Sequence, residues 1–94
     1  MDKEKTIKLR MAKELNAEMD IKTPYGCIDL LNIREIVNIK SGNNWKQAVG
    51  QILVYSNDYP YHSKRIHLFD IEPDQNMINI CKKFHIKVTY EPSV

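Results

Sequence analysis

Ninety-four residues, 43% apolar and 28% charged, fit one globular domain spanning 1–94 with a single modest core. A net charge of +2 permits contact with a polyanion without requiring it, while no apolar run approaches the roughly 20 residues that span a bilayer. The charged start Met1-Asp2-Lys3-Glu4-Lys5 leads into no signal-peptide stretch, so the expectation is an intracellular protein with no membrane association, and Cys27 and Cys81, lacking CxxC spacing, read as reduced and mostly buried thiols.

From Thr6 to Asn16, Ile7, Met11 and Leu15 recur at four-residue steps with Ala12 beside them, which predicts an amphipathic first helix. Glu18 to Lys22 alternates polar and apolar, the period of a half-buried strand, and Thr23-Pro24-Tyr25-Gly26 supplies a turn into a second strand from Cys27 to Leu31. Glu35 to Lys40 is rich in β-branched residues and predicts a third strand. Asn43 or Asn44 can cap a second helix whose inward face is Trp45, Ala48, Val49, Ile52 and Tyr55. Arg65 to Phe69 reads as a strand, Asp74 to Phe84 as a helix with Met77, Ile78 and Cys81 inward, and Ile86 to Tyr90 as a last strand. The predicted order is α-β-β-β-α-β-α-β, an α/β fold.

The short link after Leu31 implies a hairpin with Ile33 and Arg34 as a two-residue loop. Leu31 would then oppose Ile36, Asp29 would oppose Asn38, and Cys27 would oppose Lys40. Because alternate strand residues share a face, Asp29, Asn38 and Lys40 are expected to converge on one side of the sheet, with Glu35 on the other. Acids and a lysine on adjacent strands are what metal-assisted phosphodiester hydrolysis needs: the acids hold the ion and the lysine orients or deprotonates the attacking water.

On these residues the chain resembles the PD-(D/E)XK nuclease superfamily. Gly26-x-x-Asp29 is similar to its first motif, Asn38-Ile39-Lys40 stands in the place of (D/E)XK, and Gln51-x-x-x-Tyr55 is similar to the QxxxY motif of the RecB-like branch. The resemblance covers roughly residues 10 to 70. It implies a restriction-endonuclease-like core α-β-β-β-α-β followed by a further helix and strand, in a mixed sheet flanked by helices. It also implies a DNA-cutting site with Asp29 and Asn38 as ligands of Mg²⁺ or Mn²⁺, Lys40 as the water-orienting base and Gln51 in support. Glu14 or Glu18 would add a further acidic ligand. The departure is Asn38, which is neutral where the family carries an acid; losing that charge costs on the order of 1 to 2 kcal/mol, roughly tenfold in metal affinity. The alternative is therefore a degenerate pseudonuclease that serves as a DNA-binding or protein-interaction module.

Tyr59-Pro60-Tyr61-His62-Ser63-Lys64-Arg65 mixes rings with cations, and Tyr61, Lys64 and Arg65, together with Lys46, are the expected nucleic-acid contacts. Trp45 and Tyr55 read as core packing rather than stacking platforms. So short a chain covers little duplex, which suggests a homodimer or a larger nucleoprotein complex.

Overall fold

Asp2 begins the first helix by accepting the backbone N–H groups of Glu4 and Lys5, and α1 runs Lys3–Leu15 with Ile7 and Met11 buried. Asn16 ends it in the left-handed conformation, φ 49°, a position that Asn tolerates better than most residues. The computed structural model describes residues 2–92. Three strands follow, β1 (Glu18–Thr23), β2 (Gly26–Leu31) and β3 (Glu35–Ser41), then α2 (Trp45–Tyr55), β4 (Ser63–Phe69), α3 (Gln75–Lys83) and β5 (Ile86–Glu91).

The strands form one mixed five-stranded sheet in the order β1-β2-β3-β4-β5. β1, β2 and β3 are antiparallel neighbours, whereas β3–β4 and β4–β5 are parallel and need crossovers, which α2 and α3 provide. Both crossover helices bury their apolar sides on one face, with Ala48, Ile52, Tyr55, Met77 and Cys81 packed against Ile28, Ile36, Ile66, Leu68 and Ile86. α1 covers the opposite face with Ile7 and Met11 on Leu30, Val37, Ile39 and Phe69. The expected element order and the α/β class, a mixed sheet flanked by helices, are thus the ones observed.

Among the cysteines, Cys81 is buried as expected, and burial pushes its thiol pKa up. Cys27 is instead exposed, because it lies on the outer side of the β1–β2 ribbon.

The predicted hairpin loop forms at Ile33 and Arg34. The Asn32 N–H donates to the Glu35 carbonyl at 3.1 Å, and Asn32 Oδ1 accepts the N–H groups of Arg34 and Glu35, each at 2.8 Å. Leu31 opposes Ile36, as the loop length requires. Beyond Leu30↔Val37 no further β2–β3 pair is formed among the described residues. Ile28 enters the core beneath α2 while Leu30 enters the core beneath α1, although residues two apart on a regular strand share a face. The chain therefore rotates at Asp29. On the neighbouring strand Asp20, flanked by the pairs Met19↔Leu30 and Ile21↔Ile28, has φ 55°, so the irregularity crosses both strands.

Candidate functional site

Where β2 leaves β3, the Asp29 side chain takes over a ladder function. Its Oδ2 accepts the Ile39 backbone N–H at 2.7 Å, and its Oδ1 lies 3.4 Å from Lys8 Nζ of α1. Lys8 also reaches Asp20 Oδ1 at 2.7 Å, so a single ammonium holds two carboxylates. Burial works against the Lys8 charge, but Asp20 and Asp29 outweigh it and keep its pKa above the usual lysine range.

The three expected site residues do not converge on one face. Asn38 is 1% exposed and faces α2, where its Nδ2 donates to Gln51 Oε1 at 3.3 Å and its Oδ1 has no protein partner. Asp29 turns toward α1 through Lys8. Lys40 is half-buried and forms no ion pair within 4 Å among the described residues, its electrostatic neighbour being Glu4 of α1. Burial raises the Glu4 pKa, Lys40 pulls it back, and the Asp29 charge raises it again. Glu35 lies on the side away from Asn38, as expected, and pairs with Arg65 rather than entering this region. Asp29 departs from the expected face because side-chain alternation holds only along an unbroken strand.

The acids expected from neighbouring elements lie elsewhere. α1 runs with its C-terminus at the hairpin loop, where Asn32 Nδ2 donates to the Leu15 carbonyl at 3.0 Å. Glu14 is consequently at that end, paired with Arg10 at 3.6 Å, and lines a cavity of about 550 Å³ with Asn32, Arg34, Glu35 and Ser63. Glu18 opposes Leu31 and lines a cavity of about 460 Å³ with Asn32, Ile33 and His62. Glu4 and Lys8, one helical turn apart and flanking the buried Ile7, are the α1 residues at the opening. Their spacing beside the apolar stripe was the available signal.

A magnesium ion asks for several hard oxygen donors, usually including more than one carboxylate. Among the described residues no group of three or more His, Cys, Asp or Glu side chains is gathered for a metal. Asp29 is already engaged by Lys8 and the Ile39 N–H, and Asn38 brings a neutral oxygen from the other face. The residues present do not fit the ion.

The expected nucleic-acid contacts divide between two ends of the sheet. Glu35↔Ser63 puts the Tyr61–Arg65 segment beside the hairpin loop, while Lys46 opens α2 after the far end of β3, where Lys40 lies roughly 16 Å from Glu35 at 3.3 Å per residue. Tyr61 is 97% exposed and Lys64 half-buried. Arg65 is committed to Glu35 at 2.7 Å, with both side chains less than one-fifth exposed, so it is not a free cation.

Lys46 is exposed and lies one turn from Gly50 on α2. Beside it, Tyr25, Gly50, Gln51, Val54 and Tyr55 line a groove of about 340 Å³. The turn that carries Tyr25 is fixed by Thr23, whose hydroxyl donates to the Gly26 carbonyl at 2.7 Å and accepts the Tyr25 N–H at 3.1 Å. Gly26 has φ 136°, and any Cβ there would collide with the Tyr55 hydroxyl. Burial, followed by the charges of Asp29 and Cys27, raises the Tyr55 pKa. Tyr55 is therefore both the core residue expected and the stop against which the β1–β2 turn rests.

A second polar cluster carried no sequence signal, because its members come from three separate elements. His67 of β4 is 7% exposed, with Nδ1 2.6 Å from Thr89 Oγ1 and Nε2 2.7 Å from Glu91 Oε1. Arg10 grips both oxygens of the same Glu91 carboxylate. Hydrogen bonding to Arg10 is the largest cause that holds Glu91 below the ordinary carboxylate range; burial opposes it and His67 assists.

No family model and no solved structure matches the chain. Three proteins of Acanthamoeba polyphaga mimivirus named as KilA-N domain-containing are similar to it. They are 43% identical over 90 residues, 44% over 87 and 35% over 88, covering 93%, 90% and 92% of this chain. The chain spans only 24%, 24% and 36% of their lengths, so those names describe much longer proteins. These relatives overturn the PD-(D/E)XK assignment: none carries a nuclease name, and the motifs behind it are short patterns that do not assemble a set of acidic ligands here. Gly-x-x-Asp, Asn-Ile-Lys and Gln-x-x-x-Tyr specify seven residues in all, and the α-β-β-β-α-β order adds little, since fold order alone does not carry function.

Proposed function

We propose that this chain is a DNA-binding module that acts without phosphodiester hydrolysis. The observation that carries the reading is the charge arrangement around the opened hairpin. Asp20 and Asp29 are neutralised by Lys8, whereas Lys40 and the exposed Lys46 are in no ion pair within 4 Å among the described residues and are available to phosphate. The mimivirus relatives support it, because KilA-N domains are DNA-binding domains and the similarity runs over nine-tenths of this chain. The net charge of +2 is modest, so affinity rests on this local arrangement rather than on a general attraction.

The test is fluorescence anisotropy with labelled single- and double-stranded DNA between about 50 and 200 mM salt. The expected result is an affinity that falls steadily with salt, with Lys40→Ala and Lys46→Ala each reducing the slope of log K against log salt by roughly 0.7 to 0.9. Absence of salt-dependent binding to either form would sink the reading. Cleavage that requires a divalent ion and is abolished by Asp29→Ala would overturn its non-catalytic part.

A further inference from the structure

The groove beside α2 supplies the parts of a site for a flat, partly polar ligand. Tyr25 is 68% exposed although its backbone is pinned by Thr23 and by the packing of Gly26 on Tyr55, so the ring stands on a rigid turn rather than a loose one. Gly50, in the middle of the unbroken α2, lines the same groove, and a Cβ built there meets nothing within 4 Å. Glycine is unfavourable in a helix interior, and no packing contact explains its presence. Gln51 is held by Asn38, whose Nδ2 occupies the Gln51 Oε1; the Gln51 Nε2 has no protein partner among the described residues and is free to donate. Lys46, exposed and one turn along the same side of the helix as Gly50, brings a lysine next to the groove, since residues four apart on a helix are neighbours.

We infer that this groove takes one unpaired nucleobase of a single DNA strand, stacked on Tyr25 over Gly50, with Gln51 Nε2 donating to a base carbonyl and Lys46 meeting the adjacent phosphate. The inference rests on the DNA-binding reading and narrows it. A duplex hides its base faces in the stack, and only an unpaired or terminal base offers a free ring face to an aromatic side chain. The groove volume of about 340 Å³ admits one base and its sugar, not a base pair with both backbones. With its Oε1 taken by Asn38, Gln51 presents Nε2 as a donor, which meets thymine, cytosine and guanine through a carbonyl oxygen, whereas adenine, with no carbonyl, offers only a ring nitrogen.

The experiment compares binding of labelled oligo-dT, oligo-dA and a blunt duplex by the intact chain and by Tyr25→Ala, Tyr25→Phe and Gly50→Leu. Circular dichroism and urea unfolding report whether each variant is folded. The expected result is tighter binding of oligo-dT than of oligo-dA or duplex, a loss of about tenfold with Tyr25→Ala, retention with Tyr25→Phe, and a similar loss with Gly50→Leu, which fills the groove. Salt-dependent binding that is indifferent to Tyr25→Ala, or equally strong for blunt duplex, overturns this inference and leaves the DNA-binding reading in place. No binding to any of the three probes overturns the DNA-binding reading itself. Tyr25 is exposed and outside the core, so a folded Tyr25→Ala protein is expected and its result is decisive either way.

Discussion

The two faces of the sheet are held by different forces. Beneath α2 and α3 the contacts are almost wholly apolar, with Ile28, Ile36, Ala48, Ile52, Ile66, Leu68 and Cys81 all fully buried. Beneath α1 the apolar cluster is smaller and is ringed by polar contacts: the ion pairs of Lys8 with Asp20 and Asp29 and of Arg10 with Glu91, and the hydrogen bond between His67 and Glu91. Burial of a large aliphatic side chain contributes about 1.5 to 3 kcal/mol and changes little with pH, while partly exposed ion pairs contribute less and depend on pH and salt. The α2–α3 face therefore anchors the fold, and the α1 face, where the hairpin opens, is the one that conditions can adjust.

The sharpest way to break this comparison is to truncate each core. Ile66→Ala, in the larger cluster, is expected to cost about 3 to 5 kcal/mol in urea denaturation and Ile7→Ala about 2. Equal losses would mean that α1 anchors the fold as strongly as α2 and α3 do.

Next in size is the half-buried pair Arg65–Glu35. Glu35→Ala leaves the guanidinium with little water and no counter-charge, and about 2 kcal/mol of stability should be lost. Glu35→Leu combined with Arg65→Met should recover most of it; failure to do so would assign the pair a structural role beyond charge compensation.

Asn38 is the polar intruder on the apolar face, with a buried Oδ1 that has no protein partner. Asn38→Val is closer to asparagine in volume and removes that penalty together with the hydrogen bond to Gln51, so thermal unfolding should move upward by an amount equivalent to about 1 kcal/mol or less. A lower melting temperature would show that the Gln51 hydrogen bond, or a water held on the amide, outweighs the buried oxygen's penalty.

The smallest effect is pH-dependent. Glu91 has a folded-state pKa below its ordinary 4.5, so its contribution to stability is present above pH 4.5 and is lost as pH falls through the folded value. Arg10→Leu removes the largest cause of that depression. The stability gap between parent and variant should be constant near neutrality and close progressively below pH 4.5. A gap that persists at pH 2 would show that Arg10 acts through packing of its stem.

The architecture was readable because each element announces itself locally. Ile7 and Met11 at a helical step, Met77 and Cys81 at another, and the β-branched run from Ile36 to Ile39 all bury the faces that their periods predict. The two-residue loop at Ile33 and Arg34 followed from chain length between strands, and Asn32 supplies the side-chain hydrogen bonds that such a loop favours. The candidate site was read only in part. Gln51 meets Asn38 as their placement on α2 and β3 allows, yet Glu14 was expected at the site and Glu4 was not considered, because the sequence does not say which end of α1 lies at the opening. The exposed ring of Tyr25 and the gap at Gly50 were passed over because each is ordinary alone and informative only beside the other.

The sequence by itself determined which segments become helices and strands, their order, and the side that each helix buries, since these depend on interactions between residues a few positions apart. Only the tertiary structure decided that β2 rotates at Asp29 and that Lys8 holds two carboxylates across the opening. It alone also joined Arg10, His67 and Glu91, and brought Tyr25 and Gly50 to one groove. Those outcomes depend on how separate elements pack, where a single non-helical, non-strand torsion such as φ 55° at Asp20 redirects every side chain beyond it, and no local period records that event.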